Sequence, residues 1–225
     1  MRDRSRCGTR PDRLRRVAAL TGSDLSLELD RVELSRGERK LVSDLSFALM
    51  PGQLALITGP NGSGKTTLLR TLAGLSLPAG GAVRFCGRRL HALEPEQRGD
   101  IAYHGHLDSL KKDLTIEENI QFFSSLRTFT RAFSDTLQQL GLTGFRSRSV
   151  RHLSAGQKRR TSLAVLRLSG ARLWLLDEPL TNLDAAGRLL ILTWLDEHLA
   201  DGGAAVVATH LSEELTRPGC LLVEL

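Results

Sequence analysis

The stretch Leu54-Ala-Leu-Ile-Thr-Gly-Pro-Asn-Gly-Ser-Gly-Lys-Thr-Thr-Leu-Leu-Arg70 decides the fold. Leu54–Thr58 is a short continuous apolar run, as in a strand buried on both faces, and Lys65–Ala73 is built of good helix formers. Between them, Gly59–Thr66 satisfies G-x-x-x-x-G-K-[ST], in the strand–loop–helix context that gives this motif its meaning. Its glycines let consecutive backbone N–H groups turn inward around an anion, and the helix N-terminus adds positive potential. Lys65 then reaches the β- and γ-phosphates, and Thr66 offers its hydroxyl to Mg²⁺. The bland alternative, a glycine-rich turn beside an exposed lysine, fits the flanking elements poorly. The candidate residues for binding a nucleoside triphosphate are therefore Gly59, Pro60, Asn61, Gly62, Ser63, Gly64, Lys65, Thr66 and Thr67.

A second apolar run, Leu173-Trp-Leu-Leu-Asp177-Glu178, ends in two carboxylates. In a parallel sheet such a strand delivers them beside the phosphate loop, where Asp177 suits Mg²⁺ and Glu178 suits activation of water. Leu153-Ser-Ala-Gly-Gln157 is weak by itself, because Ser-x-x-Gln is also an ordinary helix capping box. Its place in the order, after the phosphate loop and before Asp177, gives it weight.

Outward from these motifs, Leu25–Leu34 and Asp44–Met50 alternate apolar with polar residues around a turn at Gly37, as in an antiparallel pair. Strands are expected near Val83–Cys86 and Ile101–His104. Thr115 and Glu118 form a capping box for a helix to about Arg127, and a second helix is expected near Arg131–Leu140. Ser154–Leu168 and Asp184–Leu199 read as helices, and Ala204–Thr209 as the final buried strand. Alternating strands and helices predict an α/β fold with a mostly parallel sheet. Residues from about 107 to 168 form a helical insertion within a single domain spanning 24–225.

Composition narrows the function classes. The 225 residues are 41% hydrophobic and 25% charged, which argues against disorder and coiled coil, and no run is long and apolar enough to cross a bilayer. The net charge of +6 is concentrated in residues 1–16, where seven arginines face two aspartates. Residues 1–23 therefore read as a basic extension, disordered or an over-long start, in preference to a lipid-binding arm. Val17–Leu20 is too short for a secretory core, so a cytoplasmic chain is expected. Three widely spaced cysteines support neither a zinc site nor a disulfide framework.

The ordered set of phosphate loop, Leu153-Ser-Ala-Gly-Gln157 and Leu173–Glu178 resembles the ATP-binding cassette (ABC) ATPases over about residues 24–217, with Ala155 departing from the usual glycine. The resemblance implies a P-loop NTPase ABC ATPase core with an antiparallel β subdomain and an inserted α-helical subdomain. It also implies ATP and Mg²⁺ sandwiched in a homodimer. There Ser154, Gly156 and Gln157 face the nucleotide held by the partner, Thr181-Asn-Leu-Asp184 crosses the interface, and His210 senses the γ-phosphate. Lys65, Glu178 and His210 become the candidate catalytic residues, and Thr66 and Asp177 the Mg²⁺ ligands.

Two positions depart from that family. His106 stands where a glutamine is usual, either as a substitute for it or as a solvent-facing loop residue. Near Ser35 and Arg36 the aromatic residue that normally stacks on adenine is missing, and Phe47 is expected to be committed to the core. Weak adenine discrimination follows, with GTP competing well. The short insertion, the Gly105-His106 loop, the missing aromatic and Leu173-Trp-Leu-Leu-Asp-Glu-Pro179 together resemble the ATPase subunit of the haem exporter of cytochrome c maturation. That resemblance implies integral membrane partner subunits docking near His106–Asn119, a peripheral position on the cytoplasmic face of the inner membrane, and haem that this chain does not itself bind. Other readings are another ABC exporter, a nucleic-acid-associated ABC-type ATPase and a non-hydrolysing nucleotide-binding module. Chromosome and repair ATPases place a very long coiled coil where this chain has a short segment, and no nucleic-acid partner is expected.

Overall fold

The computed structural model describes residues 25–105, 110–124 and 133–225. The basic extension and His106 lie outside the described residues.

Five strands make a parallel sheet in the order β6-β7-β8-β3-β9: Ile101–His104, Leu173–Asp177, Ala204–Ala208, Leu54–Thr58 and Leu221–Glu224. The continuous apolar runs have a geometric cause. Successive residues of a strand point to opposite faces, and both faces here are covered. Leu54 and Leu56 of β3, Trp174 and Leu176 of β7, and Ala205 and Val207 of β8 belong to one core. Ala55, Ile57, Leu173, Leu175 and Val206, on the same strands, belong to the other. The first core takes in helices α3 (Ile116–Ser124), α4 (Phe133–Gln139), α5 (Ala155–Leu168) and α6 (Ala185–Ala200). The second takes in α1 (Lys65–Leu72) and one face of a four-stranded antiparallel sheet.

That second sheet has the order β2-β1-β4-β5, built from β1 (Leu27–Arg36), β2 (Arg39–Leu49), β4 (Gly80–Phe85) and β5 (Arg88–Arg89). Two short helices complete the fold, α2 (Pro95–Gly99) and α7 (Ser212–Leu215). Strict alternation in β1 would turn its second half inside out, because the apolar set runs Leu27, Leu29, then Val32, Leu34. The register with β2 shifts between Leu29 and Val32, Arg31 adopts φ 48°, and all four apolar side chains face the core. One extra residue restores the phase that a rigid two-residue period would lose.

One expectation needs correction. Ala204–Ala208 is not the last strand, since β9 follows it and pairs in parallel with β3. Only Val223 of β9 is buried, so a four-residue edge strand leaves almost no periodic signal in the sequence. α3 and α4 fall within the expected helices, and the expected stretches 125–127 and 131–132 lie outside the described residues. Thr115 and Glu118 form the reciprocal cap, with Thr115 N–H donating to Glu118 Oε2 at 2.8 Å and Glu118 N–H to Thr115 Oγ1 at 3.1 Å. Asn119, fully buried, then fixes the preceding loop by accepting from Lys111 N–H and donating to the Lys111, Leu114 and Thr115 carbonyls.

Candidate nucleotide site

The C-terminal ends of β3 and β7 carry the loops that meet at one cavity of about 580 Å³. Gly59 follows β3 with φ 137°, and a Cβ there would lie 2.4 Å from the Leu225 carbonyl oxygen, so the tight turn admits only glycine. Gly64 precedes α1 with φ 120° and offers no side-chain cap. The first-turn amides of α1 are thus left without a capping side chain, at the positive end of the helix. Lys65, only 8% exposed, donates to the Gly59 and Pro60 carbonyls at 2.7 and 3.1 Å. Ser63 Oγ is buried with no hydrogen-bond partner among the described residues. A loop holding an unsatisfied hydroxyl and an ammonium resting on its own carbonyls is chemically suited to a polyanion.

Thr66 Oγ1 donates to Asp177 Oδ2 at 2.7 Å across a long sequence separation, and Asp177 is 2% exposed. A hydroxyl and a buried carboxylate in contact form an all-oxygen donor pair that fits Mg²⁺. Beside it, Glu178 adopts φ 51°, a conformation rare for a residue with a Cβ, and its amide donates to Ala208 O at 2.8 Å. Its carboxylate is held from β8: His210 Nδ1 lies 2.9 Å from Glu178 Oε2, and Thr209 Oγ1 donates to the same oxygen at 3.3 Å. Strain of this kind persists where the surroundings over-determine it.

The cavity brings together Asn61, Gly62, Gly64, Lys65, Thr66, Thr67, Asp177, Glu178 and His210 among the sequence-predicted residues. Ser154, Gly156, Gln157 and Asp184 do not line it. Ser154 and Gln157 cap α5 reciprocally, at 3.2 Å and 2.9 Å. Asp184 caps α6 by accepting from Gly187 N–H at 3.0 Å and pairs with Arg160 at 2.7 Å. Those bonds, Arg160 first, hold the Asp184 carboxyl below its usual range.

Thr181, expected in the interface loop, also lines the cavity, and Arg36, Arg39 and Leu41 from the β1–β2 hairpin escaped the sequence reading as lining residues. So did Arg159, 4% exposed, which supports the site from beneath. It donates to the carbonyls of Gly105 at 3.0 Å, Asp177 at 3.1 Å and Glu178 at 2.6 Å. Strand-end carbonyls are good acceptors for a guanidinium. A motif scan could not single it out, because Lys158-Arg-Arg160 looks like a solvated basic run. His104, behind the same carbonyls, shares a 2.9 Å hydrogen bond between Nδ1 and Ser162 Oγ, and burial holds its imidazole well below the usual range.

The ABC transporter family model matches residues 42–181. The chain belongs to the ABC transporter family. It is similar to the cytochrome c biogenesis ATP-binding export protein CcmA of Nitrosomonas europaea, 44% identical over 182 residues that cover 80% of this chain and 85% of the relative. The protein of the same name from Methylococcus capsulatus is 43% identical over 84% of this chain and 92% of its own length. Among solved structures, an ATP-binding subunit of an ABC transporter superposes with a TM-score of 0.78 at 23% identity, covering 87% of each chain, which bears on the fold. The chain is an ATP-binding subunit of this family, an ATPase coupled to transport. No helix among the described residues is long and apolar enough to cross a membrane.

Proposed function

We propose that this chain is the ATP-hydrolysing motor of the haem exporter in cytochrome c maturation, acting as a homodimer beneath integral membrane subunits on the cytoplasmic face of the inner membrane. The observation that carries the reading is the convergence of Lys65, the Thr66–Asp177 pair and the Glu178–His210 pair on one cavity. The cytochrome c part rests on the likeness to the relatives of that name.

In this reading Thr66 and Asp177 would hold Mg²⁺, which would supply positive charge to offset that of the phosphates. Lys65 exchanges its two carbonyl partners for phosphate oxygens, and the uncapped start of α1 receives the rest of the charge. Glu178 orients or deprotonates the attacking water. His210 holds the Glu178 carboxylate in place, so that a shift of His210 on meeting the γ-phosphate is felt by the base. Ser154, Gly156 and Gln157 of one chain close over the nucleotide of the other, with Asp184 at the crossing, and hydrolysis opens the pair. The membrane subunits dock between the α/β core and the helical insertion near 106–119, hydrolysis drives release of haem loaded on a periplasmic chaperone, and this chain does not itself bind haem.

The test is haem staining of c-type cytochromes in source cells lacking this chain, with wild type or Lys65→Ala supplied back. The expected result is loss of holocytochromes, restored by wild type alone. Persistence of holocytochromes in the deletion would remove haem export and leave an ABC motor with another cargo.

A further inference from the structure

We propose that Arg36 and Arg39 together form the base-binding platform of the cavity, a pair of guanidinium groups that takes the face of a purine without reading its edge. This deepens the nucleotide reading above and rests on it.

Arg36 and Arg39 are register partners on either side of the Gly37–Glu38 turn, so two cations stand directly opposite each other at the end of the β1–β2 hairpin. Like charges in that position destabilise a hairpin. The neighbouring cations are compensated, Lys40 by Glu33 at 3.1 Å and Arg31 by Asp30 at 3.5 Å. Among the described residues no acidic side chain pairs with Arg36 or Arg39, and both line the cavity. Both residues are exposed, so water screens their repulsion, and with no carboxylate among the described residues bound to them their planar groups are available to a ligand with an electron-rich surface.

The position along the cavity says which part of the ligand that is. A Cβ placed on Gly64 would lie 3.4 Å from Leu41 Cβ, so Leu41 abuts the mouth of the phosphate loop. With the triphosphate on Lys65 and the start of α1, the nucleoside extends past Leu41 towards the hairpin. Among the described residues no Phe, Tyr or Trp lines the cavity, and Phe47 is half-buried and packs against the core. A guanidinium is planar and weakly hydrated and stacks on π-faces, which every base possesses. The platform therefore accepts adenine and guanine alike.

The test is equilibrium titration of the full chain, in the presence of Mg²⁺, with ATP, GTP and inorganic tripolyphosphate. The proteins are wild type, Arg36→Ala, Arg39→Ala, the double variant and the two Arg→Lys variants, each checked by thermal melting. Wild type is expected to bind ATP and GTP within a few-fold of each other. The double Ala variant should lose about 10- to 100-fold in affinity for both nucleotides. Tripolyphosphate binding should stay unchanged, and the Lys variants should resemble Ala, because flatness and not charge is what they lack. A parallel loss for tripolyphosphate would make the pair a phosphate grip and overturn the proposal. So would unchanged nucleotide affinity in the variants, or a wild type that prefers ATP over GTP by orders of magnitude. Failure of wild type to bind any of the three would instead remove the nucleotide reading itself.

Discussion

The phosphate-loop end of β3 and the Ser154 end of α5 are both helix N-termini, yet the chain treats them in opposite ways. At α1 the cap position is Gly64, no side chain satisfies the first turn, and the surrounding side chains converge on a cavity. At α5 the cap is Ser154 with Gln157, reciprocally bonded, and none of Ser154, Gly156 or Gln157 lines that cavity. The first terminus is prepared for a ligand within its own chain. The second is locally satisfied and lies outside that cavity, the arrangement that the proposed composite site between two copies requires.

The largest effect is expected at Glu178, the proposed base. Glu178→Gln keeps the size of the side chain and removes its basicity, and phosphate release should fall by about 100-fold or more with nucleotide binding retained. Gel filtration with saturating ATP should then show a dimer. A Glu178→Gln chain that stays monomeric would break the division of labour between the two termini.

Next in size is the support under the site. Arg159→Gln leaves three strand-end carbonyls short of donors, and turnover should drop about tenfold with nucleotide affinity little changed. Equal losses in binding and turnover would show that Arg159 only stabilises the fold.

A sharper test of the comparison is Ser154→Ala set beside Ser154→Asp. Alanine removes the cap and should cost about 1 kcal/mol in denaturant unfolding, whereas aspartate caps well and should cost almost nothing. If α5 serves a partner's γ-phosphate, aspartate should nevertheless impair ATPase activity more than alanine, because it sets a negative charge against the phosphate. Turnover that simply followed stability would reduce Ser154 to a cap.

The last effect concerns pH and touches stability, not turnover. Burial, opposed by the bond from the ring to the Ala204 carbonyl at 3.1 Å, lowers the His198 pKa from 6.5 to about 4 while the ring stacks on Trp174. Between those values the unfolded chain binds more protons, so stability is full above pH 6.5 and falls as the pH drops through that window. Urea unfolding should show a loss of about 2 kcal/mol between about pH 7 and pH 5, reduced in His198→Phe. An identical acid limb in that variant would assign the loss to other groups, such as buried His104.

The phosphate loop, Asp177 and Glu178 were legible because their chemistry is written in contiguous residues flanked by apolar runs. Those runs also announced the parallel sheet, since a strand buried on both faces cannot hide its composition. Capping boxes at Thr115 and Ser154 were legible for the same local reason. Arg36, Arg39, Leu41 and Arg159 were not, because nothing nearby in sequence distinguishes a cation facing a cavity, or buried among carbonyls, from one in water. β9 was missed because one buried residue makes no period. The sequence by itself determined which ligand chemistry this chain can hold and the order of its elements, both consequences of short-range pattern. Only the tertiary structure decided which residues share a cavity and which terminus faces elsewhere, because parallel pairing joins β3 to β8, and β8 to β7, across separations that no local signal spans.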